Sequence, residues 1–385
     1  MISWPRHSTK EIQLVNKIIK SGRVNQWTGE YVNKFEKKFC KYFNLNYSLA
    51  VANGTVGLEA AINSLNLNKD SEIVVTPRSF IASASSVLKM GLKPVFSDVD
   101  LNSQNIELDN IKKVITKKTK AIICVHLAGY PTDMKPIMEY ARKKNIYIIE
   151  DCSQAHGAKI NNKYVGTFAD ISVWSFCQDK IISTLGEGGM IATNNSKLYK
   201  RLLSYRDHGK NFNQLSKIKN LNQFNYINDF IGTNIRMTEI QAAVGYLQLN
   251  NLAKWVDARN NIIQQIEKKL YNIKKGIVLI EYPKNIKHAF YRYYFFIKNN
   301  QFKNGWNYLK LINALRKKDK SFFIGGCPEI YNEKIFSKYR PSKKLNNTFL
   351  LSKTSICIRI DHNITKKRID YLSQSIEDVF INAFQ

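Results

Sequence analysis

Two kinds of apolar pattern alternate through the first half of the chain. Short continuous apolar runs at 48–52, 73–76, 94–97, 121–125 and 146–149 are bounded by turn residues and read as strands. Between them, segments 56–65, 82–90, 108–114 and 134–143 repeat their apolar residues at helical spacing. Strands that are apolar on both faces and alternate with helices predict a mostly parallel sheet covered on both sides. Further strands are expected at 172–175 and 190–193. Before the first strand, 9–20 and 30–43 read as two helices separated by SGRVNQWTGE.

The pattern changes beyond residue 237. Residues 237–271 read as one long helical stretch, followed by an aromatic-rich strand at 290–297, a helix at 306–317, a strand at 355–359 and a terminal helix from Thr365. A domain boundary is expected near residue 250. It divides a large α/β domain, 1–250, from a smaller C-terminal α+β domain, 251–385, with the N-terminal helices able to pack on the small domain. Repeats, low-complexity tracts and Pro/Gly linkers do not interrupt this scheme.

Composition narrows the class. The 385 residues are 44% hydrophobic, which argues against disorder, and no apolar run approaches the length of a membrane span. The opening MISWPRHSTKEIQ has no apolar leader core, so a soluble cytoplasmic protein is expected. Cys40, Cys124, Cys152, Cys177, Cys327 and Cys357 are scattered without a C-x-x-C pair, and the histidines are equally dispersed. That suits reduced thiols and predicts no metal site. The net charge of +29 raises the question of a nucleic-acid partner. Its basic runs fall mostly on the solvated faces of amphipathic helices, without a base-reading motif, so no specific nucleic acid is expected.

Candidate chemistry gathers at strand ends, where open α/β sheets bind ligands. Asn53-Gly54-Thr55 follows a strand and opens a helix, offering free N–H groups to a phosphate; an ordinary capped turn would look the same. The strand at 146–149 runs into Glu150-Asp151-Cys152-Ser153-Gln154, where a carboxylate can cap a loop or keep a pyridinium ring protonated. Then comes SFCQDKIISTLGEGG. A lone lysine is usually solvated, but Lys180 lies between an apolar strand and a glycine cluster, where partial burial can lower its pKa and prepare it to condense with an aldehyde. The glycines follow the lysine instead of opening the first strand–helix turn, so they are not a dinucleotide fingerprint. His126 and His156, at strand ends, are expected to be packed and not catalytic.

Phosphate cradle, ring carboxylate and amine occur in that order along one sheet. This order resembles the fold-type I pyridoxal-phosphate enzymes and, more narrowly, the DegT/DnrJ/EryC1/StrS family of sugar aminotransferases. The matching stretches include NQWTGEYVNKFE, VANGTVGLEAA, VVTPRSFIASASSV, IIEDCSQAHGA, SFCQDKIISTLGEGGMIAT and IGTNIRMTEIQAA. The resemblance implies a fold-type I large domain with a mixed sheet, and pyridoxal 5′-phosphate as cofactor, passing through pyridoxamine phosphate. It implies that Lys180 binds the cofactor covalently and shuttles a proton, that Asp151 holds the ring nitrogen, and that Gln154 faces the 3-hydroxyl. Gly54, Thr55 and Ser175 would hold the phosphate, and Phe80 would lie against the ring. Asn234 would reach in from the neighbouring subunit, so the active form would be a homodimer with composite sites. Arg236 and Met237 of the same motif could serve structure equally well. The implied reaction moves an amino group from L-glutamate to a nucleotide-linked 3- or 4-keto-deoxyhexose, for amino-sugar synthesis in surface glycans.

Residues 322–331, FFIGGCPEIY, depart from the family pattern where the sugar pocket is shaped. Three rivals stand beside this reading. A sister branch of dehydratases carries His in place of the lysine, an aminotransferase could act on a small phosphorylated or cyclic ketone, and a non-catalytic regulator or nucleic-acid binder could use the basic surface.

Overall fold

Strands that are apolar on both faces lose most by exposure, and in the computed structural model of the protein they form the middle layer of the larger part. The structure describes residues 4–216, 225–273 and 275–385. Among these, a seven-stranded sheet has the spatial order Tyr47–Val51, Gly189–Thr193, Ile171–Ser175, Tyr147–Asp151, Thr119–Val125, Glu72–Val75, Lys93–Phe96. Gly189–Thr193 runs against both its neighbours, and the remaining pairs are parallel. The expected mixed, mostly parallel fold-type I sheet is what the chain forms.

Helices cover both faces. On one side Leu58 and Ile62 of Gly54–Ser64 and Leu198 and Leu202 of Ser196–Arg206 pack on Leu49, Ile149, Val173 and Ile191. On the other, Val32, Phe35, Phe39 and Phe43 of Tyr31–Phe43 press on Ala50, Trp174 and Met190. Their spacing places four apolar side chains on one helical stripe. Glu239 holds the start of this helix: its carboxylate accepts from the N–H groups of Glu30, Tyr31 and Val32 at 2.8, 2.6 and 3.0 Å. Gly29 makes room for that approach, because a Cβ there would stand 2.0 Å from the Glu239 Cδ.

The long helix expected over 237–271 is broken. Helix Glu239–Gln248 gives way to a 3-10 turn, Leu249–Asn251, before Leu252–Leu270 resumes. Asn250 and Asn251 fall in that turn, where short amide side chains compete with helical backbone bonding. Helix Ser196–Arg206, absent from the sequence reading, buries Leu198, Leu202, Ser204 and Arg206, a stripe too polar to stand out. Beyond it, Ile277–Val278, Arg292–Ile297, Ser355–Arg359 and Phe322–Phe323 form a small antiparallel sheet. Helices Leu252–Leu270, Tyr308–Lys318 and Lys366–Ala383 bury their apolar stripes against it.

Candidate active site

At the carboxyl ends of the central strands lies a cavity of about 680 Å³, lined by Gly54, Thr55, Phe80, Ser83, Asp151, Gln154, Ser175 and Lys180 from the large sheet. Tyr291, Arg292 and Arg359, from the small sheet and the turn leading into it, close its other wall. Seven of the eight residues expected to serve the site therefore meet around one space. The eighth, Asn234, is exposed and does not line it; its backbone bridges to Asp207. In the same motif Arg236 pairs with Asp207 and Met237 is buried, so both serve the structure of this loop.

Parallel pairing delivers Asp151 to the cavity floor as the last residue of its strand. The carboxylate is 5% exposed, accepts from the Ser83 hydroxyl at 2.7 Å and from the Ser153 N–H at 3.1 Å, and so is held by neutral donors. Gln154 is oriented by the Ala128 N–H, which donates to its Oε1 at 2.8 Å. Gly54 opens a helix capped by Asn53, whose side chain accepts from Val56 N–H. A Cβ at Gly54 would stand 2.8 Å from that of Ser175, so glycine lets the first turn close on the serine. By their place in the first turn, the N–H groups of Gly54 and Thr55 have no intrahelical acceptor. Gly189 abuts the Asn53–Gly54 peptide from behind. Phe80 forms the rim and is 62% exposed.

The Lys180 side chain is 13% exposed. Its Nζ donates to the Tyr291 hydroxyl at 3.0 Å and stands 3.6 Å from Asp179. The Tyr291 hydroxyl donates to Asp179 at 2.5 Å, and Arg292 Nη2 donates to the same carboxylate oxygen at 2.6 Å. Burial by itself would lower the lysine's affinity for its proton, as the sequence suggested. In this chain the Tyr291 hydroxyl and Asp179 outweigh burial and raise the pKa above its ordinary value, which corrects that expectation. Asp179 is held below the usual carboxylate range: burial works the other way, but Lys180, Tyr291 and Arg292 prevail. Tyr291 and Arg292 were hidden in HAFYRYYFFI, where the one signal was a cation inside an aromatic strand.

Both candidate histidines are packed. His156 is fully buried beside Phe176, and burial followed by the Lys180 charge drives it down to about 3, so it is neutral. His126 Nδ1 accepts from the Thr132 N–H at 2.9 Å. Its Nε2 lies 3.9 Å from Glu150, whose oxygens accept from Gly166 and Phe168 N–H. Cys152 completes this buried cluster, and burial holds its thiol protonated.

The residues fit pyridoxal phosphate. A nearly enclosed amine and a buried carboxylate held by two neutral donors share one cavity, and a helix N-terminus opened by glycine faces a serine across it. Fold and site together define a pyridoxal-phosphate-dependent aminotransferase. The model of the DegT/DnrJ/EryC1/StrS aminotransferase family matches residues 5–377, and the chain belongs to that family. GDP-perosamine synthase of Escherichia coli O157:H7 is 38% identical over 290 residues, 75% of each chain. The dTDP-3-amino-3,6-dideoxy-alpha-D-galactopyranose transaminase of Aneurinibacillus thermoaerophilus is 38% identical over 246 residues, 63% of each chain. The crystal structure of an aminotransferase from Psychrobacter cryohalolentis superposes with a TM-score of 0.95 at 36% identity, covering 98% of both chains.

Proposed function

We propose that the protein transfers an amino group from L-glutamate to a keto sugar carried on a nucleotide, as a step in amino-sugar synthesis. The observation that carries this reading is the convergence of Lys180 and Asp151 on the cavity cradled by Gly54 and Ser175. The names of the two relatives given above support a nucleotide-linked acceptor over a small ketone or a regulator.

When bound, pyridoxal phosphate supplies an aldehyde for the amino group and a protonated ring that draws electrons from the reacting carbon. Lys180 binds it covalently, Asp151 keeps the ring nitrogen protonated, and Gln154 faces the 3-hydroxyl. Gly54, Thr55 and Ser175 hold the phosphate, and Phe80 lies against the ring. Lys180 Nζ takes the proton from the donor's Cα, and in the acceptor half it delivers one to the sugar carbon that receives nitrogen. Residues 1–250 constitute the cofactor-binding domain and 251–385 the smaller one. The protein works as a homodimer in which Asn234 completes the partner's phosphate site; its exposure outside the cavity of its own chain supports this. Six free cysteines support a reducing, cytoplasmic setting. Among the described residues no helix is long and apolar enough to cross a membrane.

Borohydride reduction of the holoenzyme should leave the cofactor on Lys180, and Lys180→Ala should abolish transamination with glutamate. Peptide mass spectrometry that maps the adduct to another lysine would overturn the assignment. Screening nucleotide-linked 3- and 4-keto sugars as acceptors then identifies the substrate.

A further inference from the structure

Like charges placed directly opposite one another weaken a sheet, yet Arg292 and Arg359 are partners in register where Arg292–Ile297 meets Ser355–Arg359. Both line the cavity that holds Lys180. Both guanidiniums stand over the ring of Phe323, Arg359 at 5.4 Å and Arg292 at 5.9 Å from its centroid. Phe323 belongs to the segment 322–331 that departs from the family pattern. Arg292 is partly committed, through Nη2, to Asp179 at 2.6 Å and to the Tyr291 hydroxyl at 3.2 Å. Arg359 is exposed, and among the described residues it has no ion-pair partner. Asp179 offsets the charge of Arg292 but not that of Arg359, and a local rule broken with one partner left uncompensated points to a functional position. The pair also stands between two spaces: a second cavity of about 390 Å³ shares Asp179, Arg292 and Arg359 with the first and adds Arg6 and Arg368.

The distance to the reacting amine selects the ligand. Arg292 Nη2 is 3.2 Å from the Tyr291 hydroxyl, which is itself 3.0 Å from Lys180 Nζ. An α-amino acid whose Cα proton goes to Nζ carries a carboxylate on that same carbon, so its anion falls beside the lysine. The phosphates of a nucleotide sugar are attached at the anomeric oxygen, away from a keto carbon at position 3 or 4. They therefore lie farther from Nζ.

We propose that Arg292 and Arg359 clamp the two carboxylates of a dicarboxylic amino donor, Arg292 taking the one on the reacting carbon and Arg359 the distal one. This rests on the aminotransferase reading above. Arg359 is thereby the residue that selects glutamate over uncharged amino acids. A guanidinium is suited to the task because its fork matches a carboxylate in two-point contact.

The test uses full-length holoenzyme without acceptor, following loss of the cofactor's aldehyde absorbance with L-glutamate, L-glutamine or L-alanine. Arg359→Gln should lower the glutamate second-order rate constant about ten- to hundredfold, the range for a charge-assisted contact, and leave alanine nearly unchanged. Glutarate binding to the cofactor-free protein, read by calorimetry, should weaken in parallel, and Arg359→Lys should recover part of both losses. Unchanged glutamate reaction and glutarate binding would overturn the clamp, whether or not the acceptor half-reaction suffers; if it does, the pair serves the acceptor's phosphates. A wild-type protein inert toward every amino acid would overturn the aminotransferase reading and the clamp with it.

Discussion

Tyr291 has one hydroxyl proton and two neighbours that compete for it. With Lys180 charged, the hydroxyl donates to Asp179 and offers its lone pair to Nζ. Arg292 steadies the same carboxylate, so the tyrosine is oriented from two sides. Tyr291→Phe removes the acceptor and leaves Asp179 to hold the proton on the amine against burial and the Arg292 charge, which both lower its affinity. Chemical labelling of Lys180 in cofactor-free protein should then reach its half-maximum at lower pH than in wild type. An unchanged midpoint would mean that Asp179 alone sets the amine. His156 faces this group from the large sheet and is neutral, so it adds no competing titration in the alkaline range. At this scale the sequence was informative where a polar residue ends an apolar strand, as Asp151 and Ser175 do. Tyr291 and Arg359 were illegible for the opposite reason. The tyrosine is one of several aromatics in a row, and the arginine's significance depends on which residue pairs with it across the sheet.

Among the elements, helix Tyr31–Phe43 shows how a distant residue replaces a local cap. Glu30 occupies its cap position and makes no side-chain hydrogen bond there. Glu239, itself in the first turn of another helix, supplies the acceptor for three N–H groups. A carboxylate at a helix N-terminus also meets the positive end of the dipole. Glu239→Gln keeps the shape and removes the charge, and should cost about 1–3 kcal/mol of stability, measured by urea unfolding. A change within about 0.5 kcal/mol, the range of an ordinary surface substitution, would show that solvent serves the helix end as well. Long apolar strands and the amphipathic helices between them were legible because period and burial agree. The strands Lys159–Ile160, Lys163–Tyr164 and Ile286–Lys287 are too short to carry a period, and they exist because tertiary packing pairs them. The break at Leu249–Asn251 left a trace in two adjacent asparagines, weaker than the apolar stripe running through it.

For the whole molecule, the position of Asn234 makes the proposed two-fold assembly testable. If it completes the partner's site, mixing Asn234→Ala with Lys180→Ala chains should rebuild one intact site per heterodimer and recover roughly a quarter of wild-type activity. An inactive Asn234→Ala chain that mixing cannot rescue, despite demonstrated subunit exchange, would place the site within one chain. The charge of +29 was legible from composition, but what it serves depends on placement; around the cavity the small sheet supplies only Arg292 and Arg359 of it. The reversed strand Gly189–Thr193 carries a consequence for the birth of the enzyme. Among the described residues it alone joins Tyr47–Val51 to the rest of the sheet, and it sets Gly189 behind the Asn53–Gly54 peptide. A ribosome delivers residue 54 long before residue 189, and the early edge strand must wait unpaired for its late neighbour. Closing so long a loop is slow. The turn at Asn53–Gly54, proposed above as the phosphate cradle, is thus expected to gain its backing late in folding, so that cofactor added to a half-made chain should find no site there.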